Sequence, residues 1–127
     1  HRRYRGARDL DLIYMLAPTS TPDRIKKIAA RARGFIYLVS VTGVTGERSG
    51  VASDLDNFVS KVKAVARVPV AVGFGISTPA QAREVGQIAD GVIIGSAVIK
   101  VASESNPIES VRRYIRQIKE AMPAGVT

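Results

Sequence analysis

The segment VAVGFGISTPAQA, residues 70–82, contains the signals that decide the fold. Its first three residues are apolar and mostly β-branched, which is typical of a buried strand. Thr78, Pro79 and Gln81 have the pattern of a helix start, with a hydroxyl N-cap, a proline at the first helical position and a glutamine that can complete a capping box. Two glycines lie between the strand and the helix. Such junctions often bind anions, because free backbone N–H groups and the helix dipole both point there.

The same order of strand and helix signals recurs along the chain. Apolar runs predict strands at residues 12–16, 35–41, 70–74 and 90–94, and start signals predict helices from Thr21, Asp54, Thr78, Gly95 and Pro107. The strands are unbroken apolar runs, which favours parallel strands that are covered on both faces. Four strand–helix units of this kind predict an α/β sheet or barrel.

Three of the predicted helices have apolar residues at helical spacing. The first is expected to bury Ile25, Ile28, Ala29 and Ala32, the second Leu55, Phe58, Val59, Val62 and Val65, and the last Ile108, Val111, Ile115 and Ile118.

Composition excludes several kinds of site. The chain has 127 residues, which favours one domain, and 46% of them are hydrophobic, enough for a core. It has no cysteine, and its one histidine is His1. Disulfides, zinc-thiolate centres, histidine metal sites and a Ser-His-Asp triad are therefore excluded, and no metal is expected.

The net charge of +8 raises the question of a nucleic-acid partner. Four of the first eight residues are arginine, and basic arms can bind phosphate backbones. The remaining cations do not cluster on one stripe, so solvated helix faces and a basic tail explain the charge better. Asp9 and Asp11 also interrupt the apolar part of what could imitate a secretion signal. We therefore expect a cytoplasmic protein with neither a membrane nor a nucleic-acid partner.

The ends of the third and fourth predicted strands share one feature. GFGIS lies there at residues 73–77 and GSA at residues 95–97, and each leads into a helix start. Small residues let a ligand approach the backbone closely. Phosphate sites of (β/α)₈ barrels are built in this way, from the loops after the last two strands and a short extra helix. Ordinary turns would also explain either glycine segment alone, but two at successive strands favour a phosphate site.

At these segments the sequence resembles the α chain of tryptophan synthase. The resemblance is carried by LIYMLAPTSTPDRIKKIA (12–29), GFIYLVSVTGVTGERSG (34–50), PVAVGFGISTPAQAREV (69–85) and ADGVIIGSAVIK (89–100). It implies a (β/α)₈ TIM barrel of which the chain holds strands five to eight, a half-barrel of about four βα units. Residues 10–127 would form this C-terminal half, whereas the basic segment at residues 1–9 departs from the family.

The resemblance also implies an activity. The family cleaves indole-3-glycerol phosphate into indole and glyceraldehyde 3-phosphate without a cofactor, and indole passes to a partner β chain that carries pyridoxal phosphate. The substrate-binding positions implied for this chain are Gly75, Gly95 and Ser96 at the phosphate, Phe74 and Met15 at the indole pocket, Tyr37 near the glycerol phosphate, and Thr45 and Gly46 in a lid loop. For Met15 and Phe74, ordinary core packing is an equal alternative.

The catalytic residues are expected to lie outside this chain. In the family, a Glu and an Asp from the first half of the barrel transfer the protons of the cleavage, and the role does not carry over to Glu47, which lies just past the lid motif. Two hypotheses result: a lyase chain represented by its C-terminal half, or a non-catalytic phosphate-binding half-barrel that pairs with another chain. Open strand edges near residues 12–16 and 92–94 predict self-association.

Overall fold

The computed structural model describes residues 10–40, 49–73 and 75–123, with no side-chain placement for residues 49–53. Within these residues the elements, in chain order, are β1 Tyr14–Leu16, α1 Pro22–Arg31, β2 Ile36–Val39, α2 Ser49–Val65, β3 Val70–Gly73, α3 Pro79–Gly86, β4 Gly91–Ile93, α4 Ser96–Ala102 and α5 Pro107–Ala121. The predicted alternation of strands and helices is confirmed.

The four strands form one parallel sheet in the order β1-β2-β3-β4. Tyr14, Ile36 and Val70 lie side by side across the first three strands, and Val72 pairs with Val92 across the last two. The first, second and fourth strands are shorter than predicted. β1 and β4 are the two edges of the sheet.

One face of the sheet forms the core. Its strand residues Leu16, Ile36, Leu38, Val70 and Val72 are at most 1% exposed. Because sequential parallel strands are joined by right-handed crossovers, the connecting helices lie on this one face. They contribute Ile25, Ile28, Phe58, Val59, Val62 and Val85 to the same cluster.

The opposite face is not covered by the described residues, which corrects the prediction that both faces are covered. Met15 projects from it and is 56% exposed, and Tyr37, Val39, Ala71 and Ile93 are only half-buried. All the crossovers share one hand, so the intervening helices cannot reach this side. The apolar strand sequence still indicates that this face is suited to burial.

The local start signals are confirmed at α1 and α3. The Thr21 hydroxyl accepts from the Arg24 N–H at 3.2 Å. Thr78 and Gln81 form a complete capping box at α3. The predicted cap at Asp54 is wrong, because α2 begins at Ser49 and Asp54 lies inside it. A local cap signal was overridden there by a helix that extends further toward its N-terminus.

The expected apolar stripe of α5 is only partly buried. Ile118 is 4% exposed, but Ile108 is 76% exposed and Ile115 is 38% exposed. The helix packs against α3 and α4, so only part of its stripe reaches the core. Among the described helices, none is long and apolar enough to cross a membrane.

An open groove runs along the β4 edge. It has a volume of about 320 Å³ and is lined by Gly91, Val92, Ile94, Val98, Ile115, Ile118, Lys119 and Met122. The groove is largely apolar and lies between the edge strand and the last two helices.

Candidate phosphate site

The first glycine turn, residues 75–77, leads from β3 into α3. Gly75 has a φ of 81°, in the left-handed region that side chains disfavour, which explains a glycine at this position. Ile76 is 4% exposed and anchors the turn in the core. The turn therefore has an exposed glycine, Gly75, and a fixed apolar anchor directly after it.

The sequence suggested that Gly73 lets a ligand approach the backbone closely, but the structure gives this glycine a different role. A Cβ atom at this position would lie 2.5 Å from the Tyr37 hydroxyl oxygen and 2.8 Å from two ring carbons. Val39 of β2 pairs with Gly73 of β3, so the Tyr37 ring leans along its strand and lies over the glycine. Gly73 provides the space that the Tyr37 ring occupies.

The second glycine turn, residues 95–97, leads from β4 into α4. A Cβ at Gly95 would meet nothing within 4 Å. Gly95 is the N-cap residue of α4 and supplies no side-chain cap, and Ser96 begins the helix with an exposed side chain. The first N–H groups of a helix have no partner within it. This turn therefore offers open space, backbone donors and a hydroxyl at one place.

The two turns come after neighbouring strands. Gly73 of β3 pairs with Ile93 of β4, and both turns continue from the carboxyl ends of these strands. Gly75 therefore lies at the same end of the sheet as Gly95 and Ser96, the end formed by the carboxyl ends of the strands.

Met15 and Tyr37 lie next to each other on the uncovered face. They are register partners in β1 and β2, and the row continues through Ala71 and Gly91. The exposure of Met15 shows that it is not a core residue of this chain. Both side chains therefore lie on the face that would be the inside of a barrel.

Four residues named from the sequence lie outside the described residues: Thr45, Gly46, Glu47 and Phe74. The basic segment at residues 1–9 lies outside them too. The roles assigned to these positions remain predictions.

Sequence reasoning missed a contact from the last helix. The Tyr114 hydroxyl donates to the Ser77 carbonyl oxygen at 2.5 Å, and burial raises the pKa of the Tyr114 phenol. Ser77 also donates its N–H to the Gln81 side-chain oxygen at 2.9 Å. A tyrosine inside an apolar helical stripe was the available signal, because its hydroxyl needs a partner.

The Asp90 carboxylate contacts the sheet at the amino ends of the strands, opposite the glycine turns. Asp90 accepts from the Val70 N–H at 2.9 Å and pairs with Lys63 at 3.5 Å, where β3 and β4 begin. Within the described ranges, no carboxylate occurs in the segments directly after the strands, and no cluster of three or more acidic or histidine side chains could hold a metal.

Comparison with known proteins shows which family the chain is similar to. A family model described as tryptophan synthase alpha chain matches residues 2–125. The tryptophan synthase alpha chain of Dehalococcoides mccartyi is 49% identical over 113 residues, 89% of this chain and 44% of that one. The one from Picosynechococcus is 50% identical over 117 residues, again 89% and 44%. The chain therefore spans less than half the length of these relatives.

Solved structures give the same result. Tryptophan synthase subunit alpha from Campylobacter jejuni superposes with a TM-score of 0.77 at 31% identity, covering 92% of this chain and 45% of that one. Tryptophan synthase from M. tuberculosis, in its aminoacrylate-bound form, gives 0.72 at 32% identity, with 90% and 41% covered. The parallel four-stranded sheet corresponds to half of a TIM barrel, and the chain belongs to the tryptophan synthase alpha chain family, a family of lyases in tryptophan biosynthesis.

Proposed function

We propose that this chain is the phosphate-binding half of an alpha-type lyase that cleaves indole-3-glycerol phosphate into indole and glyceraldehyde 3-phosphate. In the whole enzyme, a tryptophan synthase beta chain would receive the indole. Residues 10–127 would supply strands five to eight of the barrel, and the remaining strands would complete it.

The pair of glycine turns carries this proposal. Gly75 adopts a left-handed φ, and Gly95 has open space where a side chain would project. The turns end neighbouring strands, and α4 begins without a side-chain cap at the second of them. Phosphate sites of TIM barrels are formed by the loops after strands seven and eight with the N-terminus of a short helix. A dianionic phosphate would accept from the backbone N–H groups there and from the Ser96 hydroxyl.

The other site residues would hold the rest of the substrate. Met15 and Tyr37 lie on the face that would enclose it, with Met15 offering an apolar contact and Tyr37 a hydroxyl. Phe74, Thr45 and Gly46 would add to the pocket and its lid. Cleavage of the carbon–carbon bond also needs proton transfer to the indole ring carbon and from a glycerol hydroxyl. A Glu and an Asp from outside this chain would perform these transfers.

Phosphate titration tests the site. We expect the chain to bind inorganic phosphate and glycerol 3-phosphate weakly, measured from backbone amide shifts of Gly75 and Gly95. Gly95→Val should abolish saturable binding, because its side chain would fill the open space, where a Cβ meets no atom from elsewhere in the chain within 4 Å.

Ser96→Ala supplies a graded test of the same site. A hydrogen bond to a charged group contributes about 1.5–3 kcal/mol, so affinity should fall about tenfold or more. Ser103→Ala is the matched control, because Ser103 lies at the other end of the same helix, where its hydroxyl donates to the Ile99 carbonyl. Equal affinities for wild type, Gly95→Val and Ser96→Ala would contradict the proposed site.

A second measurement tests the assignment of the catalytic groups. Binding the ground state and the transition state equally does not accelerate the reaction. We therefore expect the 127-residue chain to release no indole from indole-3-glycerol phosphate beyond a Tyr37→Phe, Glu47→Gln double variant. Indole release clearly above that of the double variant would show that the chain contains its own acid and base.

The second candidate function is a non-catalytic phosphate-binding half-barrel that pairs with a second copy of itself. The observations in its favour are the two edge strands, the uncovered apolar face and the groove beside β4. Rotating the sheet by half a turn about the barrel axis would place β4 of each copy beside β1 of the other, in the same direction, and would give eight parallel strands. Both candidates use the same phosphate site, so the full open reading frame separates them: an upstream half-barrel that carries the catalytic Glu and Asp would favour the lyase, and a gene without them would favour the non-catalytic half-barrel.

A further inference from the structure

The last helix, α5, contacts both parts of the phosphate site indirectly. It packs against α3, which begins after the first glycine turn, and against α4, which begins at the second. Its position therefore affects how the two turns lie relative to each other.

Tyr114 makes a direct hydrogen bond from α5 to the first turn. Its hydroxyl donates to the Ser77 carbonyl across 37 positions of sequence. On the other side of Ser77, the N–H and the hydroxyl both donate to the Gln81 side-chain oxygen, at 2.9 and 3.2 Å. Both backbone polar groups of Ser77 are thus held, close after Gly75 in the chain.

Gly75 depends on such restraint. A glycine at positive φ has no side chain to fix its conformation and can adopt many others. The direction of its N–H is then set by the neighbouring residues, through the Ile76 side chain in the core and the two-sided contact at Ser77.

We propose that Tyr114 is a positioning residue of the phosphate site: its hydroxyl holds the first glycine turn in the place where the turn meets the phosphate together with Gly95 and Ser96. This inference rests on the proposed function. Tyr114 does not touch the phosphate and acts through Ser77. Its ring packs against the core, so a phenylalanine keeps the packing and removes only the hydrogen bond.

Tyr114→Phe is the test, with inorganic phosphate as the probe. A hydrogen bond of this kind contributes modestly, so we expect phosphate affinity to fall about 2- to 10-fold. Tyr14→Phe is the matched control, since Tyr14 is also half-buried against the core but lies on β1, across the sheet from both turns. Its phosphate affinity should equal that of wild type.

The outcomes separate the two proposals. Absence of saturable phosphate binding to the wild-type chain would overturn the proposed function. Normal wild-type binding with an unchanged affinity in Tyr114→Phe, or an equal loss in Tyr14→Phe, would overturn only the role of Tyr114. A purely structural role would lower the unfolding free energy of Tyr114→Phe and leave its phosphate affinity unchanged.

A measurement on the wild-type chain covers the case in which Tyr114→Phe does not fold. The tyrosine ring carbon that bears the hydroxyl, Cζ, is labelled with carbon-13 for NMR. Phosphate should then shift the Tyr114 resonance and leave the Tyr14 resonance in place. An unshifted Tyr114 resonance at saturating phosphate would overturn the proposal.

Discussion

At the scale of single residues, two glycines at the carboxyl end of β3, Gly73 and Gly75, are required for different physical reasons. Gly73 is required because the Tyr37 ring occupies the space of its side chain, whereas Gly75 is required because its φ is 81°. The requirement at Gly73 depends on a residue of another strand, whereas the requirement at Gly75 depends on the backbone alone. Substitutions can tell the two apart.

We expect Gly73→Ala to lower the unfolding free energy by about 1–3 kcal/mol, as overpacking does. In a Tyr37→Ala background the added methyl group has space, so the same change should cost clearly less. Gly75→Ala should cost about 1–2 kcal/mol from backbone strain in either background. Urea unfolding of these single and double variants gives the differences. Equal costs of Gly73→Ala in both backgrounds would contradict the contact with Tyr37.

At the scale of elements, Asp90 joins the beginnings of β3 and β4. Its carboxylate accepts from the Val70 N–H, and its own N–H donates to the Val70 carbonyl, both at 2.9 Å. Val70 is fully buried beneath this contact, whereas the Asp90 side chain is 43% exposed, so removal of the carboxylate takes away the protein partner of the Val70 N–H. The contact lies at the opposite end of the strands from the glycine turns, where barrel residues serve stability.

Asp90→Ala should therefore destabilise the chain by up to about 1.5–3 kcal/mol, the contribution of a hydrogen bond to a charged group. Lys63→Ala is its control. It removes the exposed ion pair with Asp90 but leaves the Val70 bond intact, and such pairs contribute about 0–1 kcal/mol. Thermal unfolding of both variants provides the comparison. A loss for Lys63→Ala as large as that for Asp90→Ala would mean that the ion pair, and not the backbone bond, matters.

At the scale of the whole molecule, the described residues leave a parallel sheet with two edges and one uncovered apolar face. Open edges pair readily with other strands. The groove beside β4 adds an apolar surface that includes Ile94 and Ile115. We therefore expect the free chain to self-associate at micromolar concentration.

Sedimentation equilibrium tests this expectation. Each copy carries a net charge of +8, so added salt should strengthen association by screening the repulsion. Ile115→Lys should weaken it, because Ile115 lines the groove. Val65→Lys is the control, with the same 38% exposure and the same added charge but a position on α2. A monomer that unfolds cooperatively at every salt concentration would contradict self-association.

The sequence alone determined the features that depend on neighbouring residues in the chain. The capping box at α3 and the cap at α1 were predictable because their donors and acceptors lie three residues apart. The order of strands and helices was predictable from apolar runs separated by start signals. The family was evident from motifs contained in continuous segments, and comparison confirmed it.

Only the tertiary structure decided the features that join distant parts of the chain. The clash that makes Gly73 necessary comes from Tyr37 on another strand, and Ser77 receives its hydrogen bond from Tyr114, 37 residues away. The exposure of Ile108 and the uncovered sheet face likewise depend on which elements pack together. A side chain's apolar character indicates that it can be buried, but whether a surface is available to bury it is a property of the three-dimensional arrangement.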